Sequence, residues 1–265
     1  MPDPAPRTWR RPRRLGPRAR VAVVAGVVAY LAAAAVSLRV DVARIAEGLP
    51  RALAFVGAFV HPDFATRGAD IARGIGESLA ITAVATVVGV ALAIPFGVGA
   101  ARNLAPLPVY LVCRAVVTLA RGFQEILVAI LFVVVVGFGP LAGVLTLVVA
   151  GIGFVAKLLA EEIEAIDPAP LEAIRATGAT APRVLLYGVV PQVLPRLAGL
   201  AVYRLDINFR ESAVIGVVGA GGIGATLNTA FERDEFDTAA AILLTIFAIV
   251  LAGELCAGRI RRSLL

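Results

Sequence analysis

Long apolar segments recur along this chain of 265 residues and constrain its fold more than any other feature. Hydrophobic residues make up 59% of the sequence and charged residues 17%, and the mean hydropathy is +0.89. A composition this apolar excludes a soluble domain, and the length accommodates five or six membrane-spanning helices. We therefore predict an all-α membrane protein with about six transmembrane helices.

The N-terminal residues 1–20 are rich in proline and arginine and offer almost nothing to bury, which predicts a disordered cytoplasmic tail. Nucleic-acid binding explains this basic run poorly, because the run directly precedes an apolar segment and fits the positive-inside rule. The first span is expected from Val21 to about Leu38. Its charged start, apolar core and alanine run also resemble a signal peptide. We favour an uncleaved anchor, since cleavage would leave the chain one span short.

The remaining sequence predicts five further spans, so that residues 21–265 form a single transmembrane domain. A mixed segment precedes them and contains a predicted amphipathic helix, Val42 to Val60, suited to the outer surface. One of the spans is too long for a straight helix and carries charges, which indicates a tilted or broken helix. Six spans place both termini on one side, and terminal arginines assign that side to the cytoplasm. The five spans are expected at about 78–100, 109–138 (the broken one), 141–159, 194–218 and 238–255.

A polar segment, 167–183, lies between the fourth and fifth predicted spans and predicts two short helices joined by a turn. Asp167 can cap the first helix, and Pro168 suits its first position, where a missing N–H has no consequence. Gly178 is expected to end that helix and Thr180 to cap the next. A hairpin this polar cannot lie in hydrocarbon. We expect it to project from the membrane and to be held by another protein.

The spacing within this hairpin resembles the EAA loop of binding-protein-dependent ABC importer permeases. Glu172-Ala173 is followed by Gly178 six residues after the glutamate, and Pro191 closes the segment. The resemblance implies a coupling hairpin, residues 167–191, that docks on the ATP-hydrolysing subunit through Glu172, Ala173, Gly178 and Pro191. The sequence departs from the family pattern at Ile174, Gly188 and Val190, which stand for alanine, isoleucine and leucine.

The fifth predicted span contains an unusually polar run, residues 203–213. On a helix, Arg204, Asn208 and Glu211 share one stripe, and Asp206 and Arg210 form an i,i+4 pair beside it. Each charge facing lipid would cost about 2.5–3.5 kcal/mol, so these groups face protein or a water-filled path. Ion pairs that merely lock helices together remain the alternative.

The third predicted span carries Arg114, Arg121 and Glu125, which would align on one stripe of a continuous helix. Together with the charges of the fifth span, these residues leave a surplus of one arginine. A modest positive bias suits an anionic substrate but identifies none. We predict a translocation path that includes Arg121, Glu125, Asp206, Asn208, Arg210, Glu211 and Ser212.

A glycine-rich run, 217–224, formally matches the dinucleotide-binding fingerprint, but no βαβ unit surrounds it. Glycines at the end of a membrane helix more simply permit close packing or an irregular turn. The only lysine, Lys157, lacks the glycine-rich approach of a Walker A motif, so the chain must borrow the energy of ATP. We predict gate or packing roles for Gly219, Gly221, Gly222 and Gly224.

Metal chemistry and disulfide bonding are not expected in this chain. The two cysteines, Cys113 and Cys256, form no CxxC motif, and His61 is the sole histidine. No cofactor is therefore predicted here. The EAA resemblance places ATP and magnesium in the partner ATPase subunits.

The run 204–224 narrows the resemblance to the phosphonate-type branch of these permeases, which also takes up phosphite or phosphate. The similarity covers the predicted transport core, about residues 78–255. Its glycine-rich ending is shared with methionine-type permeases, so a methionine or other small-solute importer remains an alternative. An ion-coupled secondary transporter would need no protruding hairpin, and an embedded enzyme would need a cluster of nucleophiles or acids that the sequence lacks.

The resemblance implies a type I ABC importer permease fold and a transport subunit that is not itself an enzyme. Its implied partners are a second copy of the chain, two ATP-binding subunits on the cytoplasmic side, an external substrate-binding protein and the lipid bilayer, with no nucleic acid. The implied location is the cytoplasmic (inner) membrane, with several spans and both termini in the cytoplasm.

Overall fold

A computed structural model describes residues 16–37 and 42–264, and every regular element in these ranges is a helix. Five helices are long and apolar enough to cross a membrane, or six when one sharply bent pair counts as a single span. The predicted all-α fold with about six spans is confirmed. Most of the predicted basic tail lies outside the described residues, but its last residues, 17–20, form the first turn of a helix.

The chain divides into two compact units, Met1–Leu53 and Ala54–Leu265. The first unit contains helix α1 (Pro17–Ser37), which is long and apolar enough to span a membrane. Helix α2 (Val42–Ala58) begins in the first unit and ends in the second. These helices match the predicted first span and the predicted amphipathic helix within a few residues.

The second unit continues with helices α3 to α11, which follow one another with short connections. Two π-helical segments, Leu185–Val189 and Gly216–Ala220, flank α9. The helices are α3 (Gly68–Gly99), α4 (Leu107–Gly122), α5 (Glu125–Val136), α6 (Pro140–Glu164), α7 (Pro168–Ala176), α8 (Ala181–Val184), α9 (Val190–Ile215), α10 (Ile223–Glu232) and α11 (Phe236–Leu264).

The third predicted span is broken, as its length and charges indicated. Helices α4 and α5 meet at an angle of 93°. Phe123 and Gln124 are the hinge, because both adopt extended backbone angles between the two helices. The stripe predicted for a continuous helix is therefore wrong, since Arg121 belongs to α4 and Glu125 begins α5.

The fifth span differs from its prediction at its start. The second helix of the hairpin continues through a π-helical segment into the span, and the helical run from Ala181 to Ala220 is kinked near its end, at Val218 and Gly219. Pro191 was expected to close the hairpin, but it lies in the first turn of α9, directly after a π-helical segment. The shifted hydrogen-bond register of a π turn accommodates a residue that has no N–H to donate. Hydropathy detected only the apolar part of this long helix.

Two other boundaries were also misjudged. Helix α3 begins at Gly68 instead of about Ser78, because its first turns are polar and extend beyond the apolar stretch. Helix α10 lies between the last two spans, in a segment for which hydropathy predicts no span. Both errors have one cause, since hydropathy finds the part of a helix that lies in hydrocarbon and not the helix itself.

Helices α3 and α6 pack closely along the middle of the second unit, because glycines line their contact. A Cβ atom at Gly89 would lie 3.6 Å from the Cα of Gly151. A Cβ atom at Gly97 would lie 2.9 Å from Leu159 Cδ2 and 3.1 Å from the carbonyl oxygen of Ala156. Small residues let membrane helices approach closely and gain van der Waals contact that lipid does not provide.

We predict that Gly97→Ala destabilises the protein by about 1–3 kcal/mol, because the added methyl group overpacks the α3–α6 contact. Gly76→Ala is the matched control on the same helix, since nothing lies within 4 Å of its added Cβ. Thermal unfolding of both variants in detergent measures the difference. Equal midpoints for the two variants would contradict the close α3–α6 packing.

Candidate functional site

The polar residues of α9 form the stripe that their spacing predicted. Arg204 is 2% exposed and Asn208 and Ser212 are fully buried, so the stripe faces the bundle. Arg204 Nη2 donates to Glu211 Oε2 at 3.0 Å. Asn208 Nδ2 donates to Thr86 Oγ1 on α3 at 2.8 Å. Most of the stripe is therefore paired with protein groups and does not face lipid.

The guanidinium of Arg204 is fixed from two sides. Its Cζ lies 5.6 Å from the ring centroid of Phe154 on α6, and its Nη2 is held by Glu211. Arg204 Nε is buried and finds no hydrogen-bond acceptor among the described residues. One donor of a buried, charged and immobilised side chain is thus left without a partner.

A cavity of about 340 Å³ lies beside this guanidinium, at the bend between α4 and α5. The carboxylate of Glu125 also lies close enough to that of Glu211 for the two to interact electrostatically. The bend places Arg121 on α4 and Glu125 on α5, and both residues line the cavity beside Arg204. The lining of this cavity includes Arg121, Gln124, Glu125, Ala150, Phe154 and Arg204.

The Asp206–Arg210 pair lies elsewhere. Arg210 Nη2 donates to Asp206 Oδ2 at 2.6 Å, which confirms the predicted i,i+4 pair. The Arg210 side chain is 50% exposed in the isolated chain and lines an apolar groove of about 530 Å³ between α9 and α11, with Phe247 and Val250. The residues predicted for one path are thus divided between two places.

The glycine run forms an irregular turn after α9. Gly219, Gly221 and Gly222 have φ angles of +95°, +77° and +73°, a region that favours glycine. A Cβ at Gly221 would lie 2.7 Å from the nitrogen of Pro140, so the turn also presses against the start of α6. Gly224 lies in the first turn of α10, where its Cβ would be 2.8 Å from the Cα of Gly216.

Helix α10 is capped by side chains from α3. The N–H of Ile223 donates to Ser78 Oγ at 3.0 Å, and the N–H of Gly222 donates to Glu77 Oε2 at 3.2 Å. Sequence reasoning did not select these residues. A signal was present, because Ser78, Thr82 and Thr86 recur every four residues along an apolar helix and all three are buried. This row of polar residues on α3 contacts α10 through Ser78 and contacts Asn208 of α9 through Thr86.

The coupling hairpin has the local structure that its residues predicted. Asp167 Oδ1 accepts from the N–H of Ala169 at 3.0 Å, and Gly178 has a φ of +78° just after α7. Leu171 is buried against the ends of α3 and α6. Thr180 occupies the cap position of α8, but its side chain makes no capping hydrogen bond. The spacing of Leu171, Ile174 and Gly178 would place all three on one helix face, but Gly178 lies beyond the end of α7 and is exposed in the turn.

The outer surface of the hairpin is exposed at the positions of the EAA motif, Glu172, Ala173, Gly178 and Pro191. Its base is tied to the membrane helices. Gln192 Nε2 donates to the carbonyl of Gly188, and Gln192 Oε1 accepts from the N–H of Asp167 at 3.2 Å. The hairpin is therefore a fixed projection of the helix bundle with an open outer face.

Comparison with known proteins identifies the family to which this chain belongs. Residues 72–264 match the family described as binding-protein-dependent transport system inner membrane component. The chain belongs to this family. As a member, it is an inner-membrane transport component with several apolar helices, and its fold is that of a type I ABC importer permease.

Several members of the permease family are similar to this chain over much of its length. It is 41% identical over 251 residues to the phosphite transport system permease protein PtxC of Stutzerimonas stutzeri, covering 94% of this chain and 89% of that protein. It is 42% identical over 206 residues to the phosphate-import permease protein PhnE of Mycolicibacterium smegmatis, covering 77% of this chain. That match spans only 39% of the length of the Mycolicibacterium protein.

More distant similarity extends to methionine permeases. The D-methionine transport system permease protein MetI of Escherichia coli is 30% identical over 157 residues, covering 55% of this chain and 72% of that protein. A solved structure of the MetNI methionine ABC transporter in an inward-facing conformation superimposes with a TM-score of 0.63 at 25% identity. The superposition covers 74% of this permease and 96% of the compared chain.

We predict that Arg204→Met destabilises the permease by about 3–5 kcal/mol, because it leaves Glu211 without its buried partner. Lys157→Met is the matched control, since it removes the cation of an exposed i,i+4 pair with Glu161 and should cost about 1 kcal/mol or less. Thermal unfolding in detergent compares the two. If both variants unfold at the same temperature, the Arg204–Glu211 ion pair does not stabilise the helix bundle more than the exposed pair does.

Proposed function

We propose that this chain is the transmembrane permease subunit of an ATP-driven importer for phosphorus oxyanions, namely phosphonate, phosphite or phosphate. The similarity to the phosphite permease PtxC over nearly the whole chain carries this proposal. A methionine importer is the second candidate. It has less support, because the match to MetI is weaker and covers 55% of the chain.

The hairpin is the proposed contact with an ATP-binding subunit. Three observations support this role: the hairpin is fixed at its base, its apolar face is buried, and Glu172, Ala173 and Gly178 are exposed on its outside. ATP and magnesium would be held by that partner, which also performs the hydrolysis. In this chain Glu172 and Ala173 would contact the partner, and Gly178 and Pro191 would set the direction of the hairpin.

The proposed assembly contains two copies of this permease, two ATP-binding subunits on the cytoplasmic side and a substrate-binding protein outside. Closure of the ATP-binding pair would draw the two hairpins together and reorient the spans, a switch between two states driven by a partner's ligand. Both termini would lie in the cytoplasm, on the same side as the hairpins. The glycine turn, Gly219 to Gly224, would act where the spans must pack closely and move.

The proposed translocation path follows the polar residues of α9 and the α4–α5 bend. Burial of Asn208 and Ser212 supports their place inside the bundle, while Arg121, Glu125 and Glu211 gather at one cavity or beside it. Arg210, oriented by Asp206, would contribute from the apolar groove if that groove lines the space between two permease copies. The cavity itself is lined by two arginines, Arg121 and Arg204, and by one carboxylate, Glu125, and this local excess of positive charge attracts an anion.

We predict that Gly178→Val abolishes coupling between transport and ATP hydrolysis. A β-branched residue is strained at a φ of +78°, although nothing nearby blocks its Cβ. Uptake and substrate-stimulated ATPase activity of the reconstituted transporter should fall at least about tenfold, while the membrane core still folds. Gly178→Asn is the matched control, because asparagine tolerates this backbone region, and it should retain most activity. Full uptake by a normally expressed Gly178→Val protein would remove Gly178 from the coupling role.

The substrate assignment is tested by uptake into vesicles that contain the complete transporter with its binding protein. Methylphosphonate, phosphite and phosphate are offered together with D-methionine as the competing candidate. We expect ATP-dependent uptake of at least one phosphorus oxyanion and none of D-methionine. Uptake of D-methionine without any phosphorus oxyanion would replace the first proposal with the second.

A further inference from the structure

The cavity at the α4–α5 bend lies near the middle of the spans along their length. Two of its lining residues, Ala150 and Phe154, are near the middle of α6, which runs from Pro140 to Glu164. Arg204 is likewise far from both ends of the helix Ala181–Ala220. Side chains at this depth are surrounded by hydrocarbon unless they line a protein cavity, so polar groups here need a partner.

Arg204 lines this cavity with a guanidinium that is already held in place. Its side chain is 3% exposed, its Nη2 is occupied by Glu211, and its Cζ lies 5.6 Å from the ring centroid of Phe154. Its buried Nε lies on the side of Gly151 and has no acceptor among the described residues. A planar guanidinium that is already fixed loses little entropy when it binds an oxyanion. An anionic acceptor in the cavity would therefore bind beside a preorganised donor group.

Arg121 supplies a second donor group. It makes no ion pair or hydrogen bond within the described parts of the chain, and it lines the same cavity. Its stem crosses Gly153, where a Cβ atom would lie 2.8 Å from Arg121 Cγ. The absence of a side chain at Gly153 thus provides the space in which Arg121 reaches the cavity from the side of α4.

The charges around the cavity favour a weakly held anion. Arg121 and Arg204 line it together with one carboxylate, Glu125, and Glu211 balances Arg204 from behind. Two guanidinium groups match the oxygens of a tetrahedral oxyanion, and the nearby acids keep its binding weak. Weak binding suits a transport path, because a substrate held tightly would not be released. The aromatic face of Phe154 and the methyl group of Ala150 offer an apolar wall for a carbon substituent.

We propose that this cavity is an intramembrane binding site for a phosphorus oxyanion, with the guanidinium groups of Arg121 and Arg204 as its donors and Phe154 as the wall for an organic substituent. The inference deepens the proposed function and rests on it. A free anion fits better than the phosphate of a lipid headgroup, because headgroups lie at the ends of spans and this cavity lies near their middle.

The site is tested on the transporter assembled from this permease and its ATP-binding subunits, without the binding protein, in phosphatidylcholine nanodiscs. Phosphorus-31 NMR line broadening reports the weak binding of methylphosphonate and phosphite. We expect saturable broadening with the unchanged protein. Arg121→Gln should weaken binding about tenfold or more, the loss expected for a hydrogen bond between charged groups. Arg121 is preferred to Arg204 because its replacement leaves no buried ion pair broken.

Two further variants make the result specific. Ala150→Leu fills the cavity without changing any charge and should weaken binding by a similar factor. Arg114→Gln is the control, since it removes an arginine from the same helix outside the cavity, where Arg114 Nη1 donates to the carbonyl of Ala100. Binding that is lost equally in Arg114→Gln, or kept in both Arg121→Gln and Ala150→Leu, would overturn the site.

The remaining outcomes separate this inference from the transport function. Phosphite or phosphonate uptake by the complete transporter, with no binding to the assembly that lacks the binding protein, refutes the site and leaves the function intact. Uptake of D-methionine alone refutes the function itself. Loss of the methylphosphonate and phosphite line broadening when phosphatidylglycerol replaces phosphatidylcholine would assign the cavity to lipid headgroups and overturn the free-anion proposal.

Discussion

The burial of Arg204 is the physical constraint on which the centre of this permease depends. A guanidinium among apolar helices is tolerated only with a counter-charge and a fixed position, which Glu211 and Phe154 provide. Four helices therefore meet at this residue: α9 carries it, Phe154 of α6 stacks against it, and the bend between α4 and α5 opens a cavity beside it. Because the buried Nε of this side chain has no acceptor among the described residues, the same point of the bundle is structurally constrained and has an unsatisfied donor.

Close helix packing provides the frame around this charge. Glycines let α3 and α6 approach each other, and Gly151 leaves room on the side that faces Arg204 Nε, 3.9 Å from where its Cβ would be. The turn Gly219–Gly222 does the same at the end of α9, where the backbone passes close to Pro140. In a membrane, where burial of apolar groups gains little, such contacts are what orders the helices.

One continuous helix connects the exposed hairpin with the buried charge. The segment from Ala181 to Ala220 begins beside Gly178, passes through a π-helical turn, and carries Arg204 before it reaches the glycine turn. Near the hairpin, this helix is held by two contacts. Gln192 accepts a hydrogen bond from the N–H of Asp167, and Arg196 forms an ion pair with Glu162 of α6. A displacement of the hairpin would therefore reach the proposed oxyanion site along this helix. This continuity is the structural basis for the coupling proposed here.

The sequence by itself determined the features that depend on local physics. Hydropathy determined the spans, Asp167 and Gly178 determined the hairpin, and a spacing of four residues determined the Asp206–Arg210 pair. Only the tertiary structure decided that the third span bends at Phe123 and Gln124, because neither residue dictates an extended conformation. The same holds for α10, whose first N–H groups are satisfied by side chains from a helix distant in sequence. Non-local contacts of this kind also place Arg121 and Glu125 beside Arg204. Such contacts join residues that are far apart in the chain, so no periodic pattern in the sequence predicts them.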